Sequence, residues 1–312
     1  MKKKWLLTGS AVGISGALML ATGFTAFAGT SGYEDYKAAL KNTVQNLQSV
    51  SVQADAVLKD NGSLLSQAQS TLKANLENEA VSGTVKISGT AGSQNLNLYS
   101  QPDGQVWKSD ASDTYFVKQD KAEKDDQEQG KEHKDGAWFN SQEETVIDAL
   151  IGNLKNEITS TTANDGSKNI SLQLDSAQIP AVVQALAPVA FKHLSDQSQR
   201  EDLKDSGAKA QLNDPENLFK HSLFNAKDIA LTEGVQIQNI HLNAVVNPAN
   251  EIQRQQFDIT FTGKDARGVS HTLTASLDVQ LSALNKTTPD TIDLSGKKVQ
   301  QVQDHHEGRH HD

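Results

Sequence analysis

The feature that most constrains this chain is a period-two alternation of apolar and polar residues that recurs from Val235 to Leu281. Val235 and Ile237, then Ile240, Leu242, Ala244 and Val246, keep one phase, with a one-residue slip at Gln238-Asn239. Phe257, Ile259 and Phe261 repeat the pattern, and His271, Leu273, Ala275, Leu277, Val279 and Leu281 fill six successive positions of a single phase. Successive side chains of a strand point to opposite faces, so these runs predict three long strands with one dry face. The slip predicts a bulge. Asn247-Pro248-Ala249-Asn250 and the stretch from Lys264 to Gly268 are turn sequences. Both are too short for a crossover helix, so neighbouring strands must run antiparallel. The product is a broad sheet with an apolar side that something has to cover.

The preceding half supplies more strands and the candidate cover. Tyr33, Tyr36, Leu40, Val44 and Leu47 recur every three or four positions and predict an amphipathic helix capped by Thr30 or Ser31. The period then changes: Val50, Val52, Ala54, Ala56 and Leu58 alternate as a strand, and Asp60-Asn61-Gly62-Ser63 turns the chain. Strand-like runs follow over 64–76, "AVSGTVKIS", "QNLNLYS", "VWKS" and "TYFVKQ", each ended by turn residues. The stretch 120–136 has no aliphatic residue larger than alanine and reads as a solvated loop. Ser141-Gln142-Glu143-Glu144 is a capping box ahead of Val146, Ile147, Leu150, Ile151 and Leu154, which predicts a second helix. A hairpin is expected around Asn164-Asp165-Gly166. A third helix is expected over Ser176 to Leu194, with Pro180 in its first turn, Pro188 as a kink, and Ile179, Val182, Val183, Leu186, Val189 and Phe191 for burial. Residues 195–233 read as irregular. The fold class expected is therefore α+β: a single curved antiparallel sheet with about three helices covering its concave face.

That order of elements over residues 31–295, ending at "TTPDTIDLSG", resembles the LolA/LppX-like fold. The resemblance implies an open half-barrel with helices plugging its hollow side, in a family whose members carry or sense acyl chains in the cell envelope. The opening "MKKKWLLTGSAVGISGALMLATGFTAFAGTSGYEDYKAALKNT" and the closing "TTPDTIDLSGKKV" are also similar to secreted, uncharacterised proteins of Gram-positive, spore-forming bacteria.

Residues 1–28 have the three parts of a secretory leader: Lys2, Lys3 and Lys4, an apolar stretch "GISGALMLATGF", and Ala26-Phe27-Ala28 before the cleavage point. Export, with the mature domain over 29–300 and a disordered His-rich tail over 301–312, is the expectation. Loss of the three leader lysines moves the formal net charge from -10 to -13. An acidic chain of this kind is unsuited to nucleic acid or anionic membrane surfaces. There is no cysteine, which removes disulfides, thiolate metal sites and cysteine nucleophiles together.

Three functions stay open at this level. The first is an envelope binding protein that holds a lipid or other amphiphile between sheet and helices, with Leu242, Phe257, Ile259, Phe261, Leu273, Leu277 and Val279 lining the apolar side. A filled core is the competing reading of the same residues. The second is metal buffering by the tail, where His305, His306, His310 and His311 offer imidazoles to zinc, nickel or copper. The third is a structural or regulatory surface protein with a protein partner and no small ligand. His306-Glu307-Gly308-Arg309-His310 spells H-E-x-x-H, yet Gly308 and the uniformly polar surroundings do not make the buried helix a zinc peptidase needs. No G-x-S-x-G, P-loop, G-x-G-x-x-G or EF-hand loop is present, so no catalytic residue is assigned and no enzymatic activity is expected. His271 falls at the start of the apolar phase and reads as a rim or satisfied core residue; His133 reads as a surface residue of the solvated loop, and His193, His221 and His241 show no ligand spacing.

Overall fold

A computed structural model of the chain describes residues 31–90, 92–101, 104–119, 152–185, 187–188 and 231–302. Its elements are α1 (Ser31–Asn46), β1 (Ser49–Asp60), β2 (Ser63–Asn75), β3 (Ala80–Gly89), β4 (Gly92–Gln101), β5 (Gly104–Ser109) and β6 (Tyr115–Lys118). A 3-10 helix (Gly152–Glu157) follows, then β7 (Thr159–Thr162), β8 (Lys168–Asp175), β9 (Glu233–Val246), β10 (Ile252–Lys264), β11 (Ser270–Ser282) and β12 (Val299–Gln301). All twelve strands join one sheet in the order β12-β6-β5-β4-β3-β2-β1-β11-β10-β9-β8-β7. Every pairing is antiparallel except β12 with β6, which is parallel.

The architecture corrects the expected α+β class. It is a twelve-stranded, mostly antiparallel sheet, and three helices do not cover its apolar face. Among the described residues, helix is confined to α1, the 3-10 segment and two short helical stretches at 181–185 and 187–188. The capping-box residues lie outside the described residues. Only the end of that predicted helix is described, as the 3-10 helix Gly152–Glu157, where Leu154 is buried. The third expected helix begins at 181, but Val182 is 45% exposed, so the burial stripe assigned to it does not run as expected. Local helical periodicity marked candidate covers; it could not weigh them against a sheet that recruits most of the described segments.

The long strands follow the alternation closely. Between β9 and β10 the register steps from Asn239↔Thr260 to Ile237↔Phe261, leaving Gln238 as the extra residue of the expected bulge. The hairpin β7–β8 turns through Gly166, whose φ of 84° suits glycine. Carrying the register across the sheet puts Leu172, Leu242, Phe257, Leu277, Ala56, Ala68 and Ile87 in one row on one face, here called inner. The outer face carries polar rows such as Asn243, Gln256, Asp278, Asp55 and Gln69.

Helix α1 lies on the inner face over the β7–β10 side. Tyr33, Tyr36, Ala39, Leu40 and Thr43 are its buried stripe, packed with Ile170, Leu172, Ala244 and Val246. Polar bonds fix its position. Gln255 Nε2, on the dry side of β10, donates to Tyr36 Oη at 2.8 Å. Thr43 Oγ1 accepts from the Ile252 N–H at 2.8 Å, and Asn42 Nδ2 donates to the carbonyls of Ala249 and Asn250. Asp35 accepts from Lys168 at 2.5 Å and from Ser160 at 2.6 Å. Burial alone would raise the Asp35 carboxyl, and these two partners outweigh it, so its pKa is lowered. Burial likewise pushes the Tyr36 hydroxyl far above its ordinary range.

The segment 283–298 forms a strap across the outer face. Asn285 ties its start to α1 and β1 by accepting from the Gln48 N–H at 2.7 Å and donating to the Asn46 carbonyl at 2.8 Å. Thr287 meets Ser51 at 3.0 Å, Asp290 pairs with Lys73 at 2.9 Å, and the Asp290 N–H donates to the fully buried Ser82 at 2.7 Å. The strap then delivers β12 to the edge of β6. The strap accounts for the burial of Ser82 on the outer face of β3; Val106 and Val117 are also buried on that face, and Val81, Trp107 and Phe116 on the inner one.

Replacing Tyr36 with Phe should remove about 1–3 kcal/mol of stability, because the Gln255 amide is left buried without this acceptor. Urea unfolding of the variant beside the parent chain measures it; a difference within ±0.5 kcal/mol, the usual effect of a neutral surface change, would contradict the assignment.

Candidate functional site

The inner face divides into two apolar clusters. One gathers α1 with β8–β11, including Leu242 and Leu273; the other gathers Val50, Val52, Leu72, Val85, Ile87, Leu96 and Val279 of β1–β4 and β11. At their junction the side chains become small. Ala54 stands opposite Ser70, and Ala56 opposite Ala68. Larger residues flank these four on most sides: Leu277 and Val279 on β11, Val85 and Ile87 on β3, Val52 and Leu72 at one end, and at the other Leu58, which is paired with the small Ser66. Ala54, Ala56, Ala68 and Ser70 are each half-buried, whereas Val52, Leu58, Leu72, Val85, Ile87 and Val279 are buried. The outcome is a shallow basin floored by methyl and hydroxyl groups. From β11 to β3 it spans three strand spacings, about 14 Å.

The residues assigned to this face from the sequence all lie on it, but they divide by burial. Leu242, Leu273 and Val279 are 5%, 1% and 4% exposed, which places them in the packed core. Phe257, Ile259, Phe261 and Leu277 are half-buried. Phe257 faces Leu242 on one side and Leu277 on the other, and Phe261 faces Leu273, so the register brings all seven into one field. Leu277 borders the basin directly; Phe257 and Ile259 lie one strand beyond it. The tail residues His305, His306, His310 and His311 lie outside the described residues, as do the loop 120–136 and most of 195–233.

A polar cluster closes the same face where the β1–β2 and β10–β11 turns meet. His271 Nδ1 lies 2.8 Å from Asp60 Oδ2, and Nε2 stands 3.7 Å from Asp265 Oδ2, beyond hydrogen-bond reach. Asp265 accepts from the Val269 and Arg267 N–H groups at 2.8 and 2.9 Å and from Arg267 Nε at 2.8 Å. The Val269 bond, with Arg267 behind it, holds the Asp265 carboxyl down at about 2 against the opposing effect of burial. The sequence reading placed His271 at a rim without its carboxylates. Asp60 and Asp265 each sit in a turn motif; the pairing of β1 with β11 brings Asp60 to the imidazole, and the β10–β11 turn brings Asp265. Among the described residues no hydroxyl nucleophile contacts His271, and no group of histidine and carboxylate side chains is arranged to hold a metal ion.

Trp107, on β5, belongs to the inner face through its pairing with Leu98, and it stacks on Phe116 with ring centroids 6.0 Å apart. It is 2% exposed, and its indole Nε1 has no hydrogen-bond partner among the described residues. Pattern reading could recognise the strand but not the state of that N–H.

No family model and no curated protein matches the chain. Among solved structures it is similar to a DUF1329 family protein from Desulfovibrio piger, at 8% identity over 85% of this chain and 95% of that one, with a TM-score of 0.20. A protein from Thermobifida fusca, provisionally assigned as a thioesterase II, matches at 9% identity over 84% and 90% of the two chains, with a TM-score of 0.11. Overlays at these scores carry no argument about architecture or activity. No helix among the described residues is long and apolar enough to cross a membrane.

Acid should weaken the Asp265 turn in a defined window. Its carboxyl sits at about 2 when folded against an ordinary 3.8, so its stabilising contribution is fully present above the ordinary value and disappears as pH falls through 2. Replacing Asp265 with Asn should lower stability at pH 7 and flatten the loss between pH 4 and pH 2; equal acid slopes for both chains in urea unfolding would refute this.

Proposed function

We propose that this chain is a non-enzymatic binding protein that works outside the cytoplasmic membrane and takes the apolar part of an amphiphile onto the inner face of its sheet. The observation that supports this reading most is the basin of Ala54, Ala56, Ala68 and Ser70, half-buried amid larger and mostly buried apolar side chains. A sheet built only to be filled would place bulk at its centre, as interiors pack to crystal-like density. Here β1 and β2 carry only alanine and serine at 54, 56, 68 and 70, and the half-buried Phe257, Ile259 and Leu277 extend the apolar surface beside them. Apolar surface with few polar groups is the usual lining of a site for a flexible hydrocarbon chain. The leader-like residues 1–28 and the resemblance in element order to LolA/LppX-like proteins support an extracytoplasmic setting.

Filling the basin should abolish uptake without unfolding the protein. Ala56→Phe places a ring over the floor, whereas Val57→Phe, one residue on, places it on the outer face. An apolar fluorescent dye should bind the parent and the Val57→Phe chain alike and bind Ala56→Phe at least about tenfold more weakly, a difference of roughly 1.4 kcal/mol. Native mass spectrometry of the protein purified from its own host should show co-purified ligand. A consistently empty parent chain that takes up no dye would remove the reading.

A further inference from the structure

The outer face carries a pattern that neither the core nor the strap requires. Three rows cross it from β9 to β4, passing through Gln53, Asp55 and Val57 of β1. A solvated face usually intersperses lysine and glutamate. These rows hold mostly amides and hydroxyls: among their described residues there is no glutamate, and Lys86 is the single lysine. The strap crosses one row further on, at Ser51, Lys73 and Ser82, and leaves Gln53, Gln69 and Gln280 exposed. Hydrogen bonds fix which way the amides point. Gln67 Nε2 donates to the two Asp55 oxygens at 2.8 and 3.0 Å, and Gln69 Nε2 donates to Asp55 Oδ2 at 3.3 Å. Across the β1–β11 seam Gln256 Nε2 donates to Asp278 Oδ2 at 3.2 Å, beside the Arg254 guanidinium. Asn95 Nδ2 repeats the arrangement on Asp110 at 2.8 Å. The amide nitrogens are thus directed at carboxylates within the face. The side-chain carbonyl oxygens of Gln67, Gln69 and Gln256 meet no donor among the described residues, and with the carboxylates they form an oriented row of acceptors.

A surface of fixed acceptors fits a partner that brings hydroxyl donors, and the register sets the interval between them. Gln256, Asp278, Asp55 and Gln69 lie on four successive strands, about 4.8 Å apart. That interval is close to the advance per sugar of an extended β-1,4-linked glycan. Every sheet has the spacing; this one also keeps an acceptor at each step, even where Asp55 stands directly opposite Asp278, a like-charged pairing that costs stability. We propose that the outer face binds a neutral β-1,4-linked glycan lying across the strands from β9 to β4, a run of about 29 Å. The formal net charge of -10 disfavours an acidic polysaccharide. The three rows hold no tyrosine, tryptophan or phenylalanine, so hydrogen bonds carry the contact. Each contributes little net in water, and affinity therefore accumulates along the glycan. A glucose polymer and an N-acetylglucosamine polymer share this backbone, and the acceptor row recognises what they share. The site lies on the opposite face from the basin and does not rest on the amphiphile reading.

The test titrates the full chain with cellopentaose, the N-acetylglucosamine pentamer, the dimers of both, and maltopentaose, whose α-1,4 linkages curl it away from an extended line. At least one β-linked pentamer should bind, about tenfold or more tightly than its dimer, and the one preferred names the sugar. The side-chain amide signals of Gln67, Gln69 and Gln256 should move in the NMR spectrum as it binds. Gln69→Ala combined with Gln256→Ala should weaken binding at least about fivefold while the urea midpoint stays in place. Binding of neither pentamer overturns the proposal, as do a dimer that binds as tightly as its pentamer, maltopentaose binding equally well, or an affinity that survives the double substitution. Tighter binding of the deacetylated glucosamine pentamer overturns it in favour of a cationic partner for Asp55 and Asp278. Dye uptake at the basin is read separately, so each of these results leaves the amphiphile reading to its own test.

Discussion

The hydrogen bond from Gln255 to Tyr36 sets where the cover meets the sheet. Burial of apolar surface drives α1 onto the inner face, but that force has no direction and would accept the helix at several positions along β7–β11. Gln255 breaks the degeneracy. It occupies an inward position of β10, and only a helix that brings Tyr36 above it satisfies the amide. Asn42, Thr43 and the Asp35–Lys168 pair then lock the same placement from both ends. The helix consequently seals the β7–β10 side. The alanine-floored basin of β1 and β2 lies on the other side of β11.

Much of the sheet was legible in the sequence because strand alternation is a local property. The phase of β9, β10 and β11, the Gln238 bulge and the hairpin at Gly166 all follow from a few consecutive residues. Helix α1 was legible for the same reason. What escaped depends on residues far apart. The strap and the parallel seating of β12 on β6 are carried by single contacts such as Asp290 with Ser82, which leave no periodic trace. The helix count failed because amphipathic spacing shows that a segment can hide one side, without showing how long it stays helical or what hides it. Val182 has the right spacing and stands in water.

The candidate site was half legible. Alternation placed Phe257, Ile259 and Leu277 on the apolar face, yet it could not distinguish them from Leu242, Leu273 and Val279, which belong to the packed core. Ala54 and Ala56 read merely as strand residues; their meaning comes from the register that sets Ser70 and Ala68 opposite and larger groups on most sides. The Asp60–His271–Asp265 cluster has the same character, with three side chains assembled from two turns at opposite ends of the sequence.

The placement of β1 between β2 and β11 has a consequence for how the molecule comes into being. Residues near 50 must wait for residues near 280 before their second ladder can form. A chain made from its amino terminus thus carries an open, sticky border through most of its synthesis. Such distant pairing makes maturation slow and places a premium on a chaperone or on passage in an extended form until the last strands arrive.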